Sequence, residues 1–280
     1  MIWLIVGATA VVALGFFLNT VALRIVRPPK RVIPRTAGDL PLRYEDVSFR
    51  SAGRTLRGWL LHPERPDGRA VAILAHGWAS NSGEVLPVAE AAVRAGHPTL
   101  VFDFRRHGRS DDAPHVTIPD YRDDLIEAIA FVRERLSDRP IVVIGHSMGG
   151  AAVILAAAEG AALDGIVTVG APADLIEMTV EYLNAAGLPG TLLAPLLVPL
   201  LWIRAGGRRG HLVPERRMAE VLVPAMVIHP EMDERVPLEH ARKLADLADC
   251  ELRVVPDAGH LDILEHPGLH EAVVEFLARF

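Results

Sequence analysis

The order of apolar and polar positions divides the chain into three parts. From Met1 to Leu23 no side chain carries a charge, and the run reads MIWLIVGATAVVALGFFLNTVAL. As a helix it would reach roughly 34 Å, enough for a hydrocarbon core about 30 Å thick. Residues 24–41 follow with Arg24, Arg27, Lys30 and Arg31 and the segment RPPKRVIPRTAGDLP, whose prolines and charges predict an unpacked linker. Past Pro41 the pattern changes again. LRYEDVSFR and TLRGWLLHP, split by SAGR, predict a hairpin. AVAILAHG and PTLVFDF are short, nearly continuous apolar runs, as strands covered on both sheet faces should be. Between them Gly83 to Gly96 has alanines and leucine at helical spacing, and DYRDDLIEAIAFVRERL predicts an amphipathic helix, acidic early and basic late.

PIVVIG, an alanine helix after Ser147, LDGIVTVGAP, VPAMVIHP and CELRVVP come next, and a helix from about Gly268 to Phe280 closes the chain. Strands alternating with helices predict a doubly wound, mostly parallel sheet with helices on both faces. In such sheets functional groups gather at the carboxyl ends of strands. The alternation stops over residues 173–222, a leucine-rich, helical segment between two predicted strands. It reads as a helical subdomain with its own core, as the wall of an apolar substrate pocket, or as a lid that touches the membrane. Its most apolar piece, LLAPLLVPLLWI, is too short to span a bilayer.

Composition narrows the function classes. The 280 residues carry a formal net charge of −6 with few aromatics, so neither a basic stripe nor a base-stacking platform points to nucleic acid. The single cysteine, Cys250, excludes an internal disulfide and any multi-cysteine metal site. A cleaved signal peptide would need a basic n-region, absent here, and a small-residue cleavage site that FLNTVALR does not offer. An uncleaved single-pass membrane anchor over residues 1–23 is therefore expected. The basic residues behind it should stay inside, placing the body in the cytoplasm.

One stretch raises a chemical question. In IVVIGHSMGG, Ser147 stands between Gly145 and Gly149 where a strand pattern becomes a helix pattern. A G-x-S-x-G turn at that junction lifts the hydroxyl clear of the sheet, and the Met148 N–H at the helix start is placed to meet developing negative charge. A serine nucleophile also needs a base, oriented by a third group, and oxyanion donors. ILAHGWASN offers the Trp78 N–H as a second donor, with His76 shaping that loop. Among twelve histidines, His260 in LRVVPDAGHLD follows a strand and precedes the last helix. His229 and His240 sit within predicted elements, His211 in the 173–222 segment, and His266 and His270 at the final helix. For the acid, VIHPEMDERVP places Asp233 just beyond a strand, with Glu231, Glu234, Asp257 and Asp262 as competitors. Chain order Ser…Asp…His favours Asp233.

These residues together resemble the α/β-hydrolase superfamily: the HGW loop, GHSMGG, the DAGH loop, and VFDFRRHGRSD, which looks like the Asp-x-Arg-x-x-Gly-x-Ser stretch of its lipase and esterase branches. The resemblance covers residues 42–280. The apolar segment and the GRTLRGWLLHP hairpin are similar to its Bem46-like branch. It implies an α/β-hydrolase fold with a helical lid insertion, Ser147 as nucleophile, Asp233 as acid, His260 as base, and Trp78 and Met148 as oxyanion donors. No cofactor or metal is implied. The expected function is cleavage of small-molecule or lipid esters with an apolar acyl part. Thioester or amide hydrolysis by the same triad is an alternative, and a catalytically silent binding protein on this fold is another, although no triad member is missing. Arg105, Arg106 and Arg109 would either hold an anionic substrate group or brace their own loop, the latter being the simpler reading.

Overall fold

The structure, a computed structural model, describes residues 1–32, 34–65, 69–207 and 209–280. Helix α1 (Ile2–Ile25) precedes strands β1 (Arg43–Ser51) and β2 (Arg54–His62), which form the expected hairpin. Its turn is Ala52-Gly53, both at positive φ, the conformation that matches the twist of paired strands. Strand β3 (Val71–Ala75), helix α2 (Leu86–Arg94), β4 (Thr99–Asp103), α3 (Ile118–Arg135), β5 (Ile141–His146), α4 (Met148–Ala158) and β6 (Gly165–Val169) then alternate. Helices α5 (Leu175–Ala185), α6 (Gly190–Arg204) and the short α7 (Glu215–Met218) interrupt that rhythm. Strand β7 (Ala225–Pro230), α8 (Leu238–Ala248), β8 (Glu251–Val255) and α9 (Pro267–Leu277) complete the chain.

The eight strands form one sheet in the order β1-β2-β4-β3-β5-β6-β7-β8, and only β2 runs against the rest. Every residue of β3, β4, β5 and β6 is buried, which is why their sequences read as unbroken apolar runs. Alternate strand positions feed two cores. Ile141 and Val143 point to the side covered by α3, α4 and α8, whereas Val142 and Ile144 point to α2 and α9.

Two features of this sheet place the site. Chain order reverses around β3, which has β4 on one side and β5 on the other, so the loops leaving their carboxyl ends diverge and open a crevice. Ala75 of β3 lies opposite Gly145 of β5, so the loops that begin at His76 and Ser147 emerge side by side.

The insertion between β6 and β7 is helical, as its leucine-rich pattern predicts, and α6 runs on through Pro195 and Pro199. A third apolar cluster joins it to α1: Leu18, Ala22 and Val26 pack with Leu183, Ala194, Leu197 and Leu201. The Arg204 guanidinium donates to Asn19 Oδ1 at 2.6 Å in the same contact.

The segment after α1 departs from the expectation of an unpacked linker. Val26 O accepts from Val116 N at 2.8 Å, Arg27 Nε donates to Pro114 O at 2.7 Å, and Arg31 O accepts from Asn81 Nδ2. Ala37 is fully buried against the α2 and α9 side of the sheet. The groups that find partners on the body are the carbonyls of Val26 and Arg31 and the Arg27 guanidinium, which lie around the prolines and not on them. The segment is a strap along the body.

Candidate active site

Strand β5 ends at His146, helix α4 begins at Met148, and Ser147 between them has φ 53°, ψ −121°. A non-glycine residue holds such a conformation only when its surroundings over-determine it. They do so here. Ser147 N donates to Val169 O at 2.8 Å, and Ser147 O accepts from Gly150 N and Ala151 N. The flanking glycines permit the packing. A Cβ on Gly145 would lie 2.6 Å from the Gly149 backbone, and one on Gly149 would lie 2.2 Å from Ala75 O. Gly150, outside the G-x-S-x-G pattern, is equally constrained, with Ala171 Cβ 2.7 Å from where its own Cβ would be.

The turn presents Ser147 Oγ 3.0 Å from His260 Nε2. On the other side of the ring, His260 Nδ1 lies 2.8 and 3.0 Å from the two Asp233 oxygens. Both side chains are withdrawn from solvent, at 2% exposure for His260 and 1% for Asp233. Asp233 Oδ1 also accepts from the N–H groups of Arg235 and Val236. Burial alone would raise the Asp233 pKa; the hydrogen bond and charge of His260, with those two N–H groups, outweigh it and hold the carboxyl below its ordinary value.

The three residues come from the ends of β5, β7 and β8, where the sequence pattern placed them. The rival acids do other things. Glu234 accepts the backbone N–H of His260 at 3.1 Å, and Asp262 accepts that of Gly259. His229 donates to Val236 O, His240 accepts from Ala173 N, His266 caps α9 and His270 donates to Leu264 O. The thiol of half-buried Cys250 is pushed up to about 11 by burial.

The Met148 N–H is the first of α4, and first-turn N–H groups have no acceptor within their helix. Trp78 lies on the loop after β3, beside Gly77, whose added Cβ would stand 3.2 Å from Ser147 Cβ. Three buried side chains hold that loop. His76 donates from Nδ1 to Gly77 O and accepts the Phe104 N–H at Nε2. His107 Nε2 faces both the Ala79 N–H and the Tyr121 hydroxyl, and that hydroxyl also lies 3.3 Å from Gly77 O. Burial pushes His76 down to about 4; burial together with the neighbouring His76 pushes His107 to about 3, so both rings are neutral at pH 7. Sequence pattern gave no sign of His107 or Tyr121 in this role; the nearest hint is the position of His107 inside VFDFRRHGRSD.

Within that stretch the charged residues brace the fold. Asp103 accepts the N–H groups of Ser82 and Arg109, and Gly108 leaves room for its carboxylate. Arg105 is buried against Asp124 and Asp120, Arg106 pairs with Asp112, and Arg109 pairs with Asp46. His146 acts on the relay from behind: its Nε2 donates to His260 O at 2.8 Å, and burial depresses its pKa to about 3.

Ser147, Asp233 and His260 line one cavity of about 610 Å³. Its walls are largely apolar, from Trp78, Met148, Leu175, Ile176 and Met178 on the body and insertion, and from Ile25 and Val26 of α1. Among the described residues, no group of three or more His, Cys, Asp or Glu side chains converges to hold a metal ion.

Known proteins resemble this chain at the level of family and fold. The model of the alpha/beta hydrolase family matches residues 72–269. The chain is 27% identical over 260 residues to YfhR of Escherichia coli strain K12, covering 86% of this chain and 82% of that one. It is 29% identical over 241 residues to the monoacylglycerol lipase of Mycolicibacterium smegmatis, covering 74% and 82% respectively. The solved Pyrococcus furiosus esterase Pf2001 superposes with a TM-score of 0.72 at 25% identity, over 91% of this chain and 98% of that one.

Proposed function

The chain belongs to the alpha/beta hydrolase family, and from that premise we propose that it is a membrane-anchored serine hydrolase that cleaves carboxylic esters with an apolar acyl part. The observation that carries this reading is the unbroken relay Asp233–His260–Ser147 opening into an apolar cavity. The esterase and lipase among its relatives support it.

As Ser147 Oγ attacks the ester carbonyl, its proton passes to His260 Nε2. Asp233, ionised at working pH, accepts the Nδ1–H hydrogen bond, fixes the tautomer and stabilises the imidazolium. The carbonyl oxygen becomes an alkoxide that takes hydrogen bonds from the N–H groups of Met148 and Trp78. Collapse expels the alcohol, which receives the proton from His260, and leaves an acyl group on Ser147. Water then loses a proton to His260 and attacks the acyl carbon; collapse breaks the bond to Ser147 Oγ, which takes the proton back from His260, and releases the acid.

Residues 1–23 serve as the anchor, 24–41 as the strap, and 42–280 as the catalytic domain, with 173–222 as a lid over its cavity. The Ile5–Ile25 stretch is long and apolar enough to cross a bilayer, and the basic residues behind it favour a catalytic domain on the cytoplasmic side. Protease added outside intact cells should therefore leave the domain whole. Digestion there would reverse the orientation.

A series of nitrophenyl esters tests the substrate class. kcat/KM is expected to rise from acetyl to octanoyl, by on the order of ten-fold, as added methylenes leave water. The Ser147→Ala protein should lose turnover of every ester. A clear preference for acetyl would refute the apolar-acyl reading.

A further inference from the structure

Helix α6 has one face with no partner. Leu192, Leu196 and Ile203, spaced four and seven residues apart, are 68%, 45% and 66% exposed, with exposed Pro195 and Pro199 between them. No charged side chain occurs from Gly190 to Ile203. Such a continuous apolar strip is uncommon on a surface facing water. Its opposite face packs on the last turns of α1, through Leu18, Ala22 and Val26, the end of the stretch apolar enough to cross a bilayer. Arg204, at the end of α6, reaches back to Asn19. The strip therefore lies beside α1 at the level where α1 leaves a membrane, next to the basic residues Arg24 and Arg27, which suit anionic headgroups.

The same two helices also form part of the cavity that holds Ser147: Ile25 and Val26 come from α1, Val198 and Leu201 from α6. An apolar wall thus runs from the lipid-facing side of α1 and α6 to the nucleophile. We propose that the exposed face of α6 seats in the bilayer that α1 enters, so that the cavity opens onto lipid and receives its ester from the membrane. The seating stands on geometry alone; the delivery of an ester rests on the hydrolase reading above.

Two measurements on the full chain, reconstituted in vesicles of phosphatidylcholine with some phosphatidylglycerol, separate these parts. An NBD fluorophore is attached at Leu196→Cys in a Cys250→Ala background, with Glu239→Cys on α8 as the control site. Seating predicts blue-shifted emission at position 196, quenched by lipids that carry a nitroxide on the acyl chain, with neither effect at position 239. Water-like emission at 196 would overturn the proposal. So would a blue shift without lipid quenching, which is the signature of a second copy of the chain covering the strip.

The second measurement compares L192D/L196D/I203D with the unaltered chain on a water-soluble butyrate ester and on a long-chain glyceride held in the vesicles. Turnover of the embedded ester is expected to fall about ten-fold or more, because acidic side chains are costly at membrane depth, while the soluble ester stays within about two-fold. Retention of both activities would overturn delivery from the membrane. If the variant loses both through misfolding, the fluorophore at position 196 decides. If the unaltered chain cleaves neither ester, the hydrolase reading fails while the seating result stands.

Discussion

In the proposed mechanism Asp233 has two separable duties, orienting His260 and neutralising it when it takes the proton. Asp233→Asn keeps the size of the side chain but favours the wrong tautomer of the ring, and kcat is expected to fall by about 10⁴ with little change in KM. Glu234 sits one residue further on; it accepts the backbone N–H of His260 and pairs with Arg235 at the surface, with no contact to the His260 ring. Glu234→Gln should cost less than about three-fold, as the bond it loses is a single one outside the relay. Steady-state kinetics on a soluble ester checks both. Equal losses in the two variants would contradict the assignment of the acid.

Acid sensitivity also belongs to single residues. His76, His107 and His146 have folded-state values near 4, 3 and 3, against an ordinary 6.5. A depressed pKa means the unfolded chain takes up a proton that the folded one refuses. Their contribution to stability is thus complete above pH 6.5 and is lost as the pH falls from there toward 4, by about 1.4 kcal/mol per pH unit for each ring. The melting temperature should drop steeply between pH 6.5 and 5, in Ser147→Ala as in the unaltered chain. A flat profile over that range would show that these rings are not held neutral.

Residue roles were legible where spacing along the chain encodes them and hidden where space does. Ser147, Asp233 and His260 each follow a strand, so alternation of elements pointed to them. The His76–His107–Tyr121 group joins residues from three separate segments; His76 was legible as shaping its loop, but nothing local marks Tyr121, and only its place in VFDFRRHGRSD hints at His107. His146 reads as filler in the G-x-S-x-G pattern, yet it clamps the backbone of the base.

At the scale of elements, the junction of β3, β5 and α4 sets the position of Ser147. Gly149→Ala would drive a methyl group into the Ala75 carbonyl, a backbone atom that cannot yield. A loss of at least about 3 kcal/mol in denaturant unfolding is expected, the range of severe core lesions. The loop after β4 is fastened to α3 by the buried Arg105–Asp124 pair. Arg105→Met leaves buried Asp124 without its counter-charge, keeping only neutral donors, and should cost about 3–5 kcal/mol. A cost below 1 kcal/mol in either variant would contradict the packing described.

The hairpin and the buried strands were legible because turn chemistry and unbroken apolar runs are local signals. Residues 24–41 were not, since prolines and charges describe a free linker and a docked strap equally well. What distinguishes them is the supply of partners on the body, which the segment itself does not encode. Helix α6 was recognisable as helical despite two prolines, but its contact with α1 joins residues as much as 185 positions apart.

For the whole molecule, the match to the alpha/beta hydrolase family over residues 72–269 gives the family, and the sheet order agrees with it. The assignment of Ser147 as nucleophile of an ester hydrolase is the claim on which the rest depends. Its most direct test is to treat the purified full-length protein with a fluorophosphonate and map the adduct by peptide mass spectrometry. The account predicts one stoichiometric adduct, on Ser147, absent from Ser147→Ala and strongly slowed in His260→Ala. An unmodified Ser147, or an adduct on another residue that persists in Ser147→Ala, would contradict it.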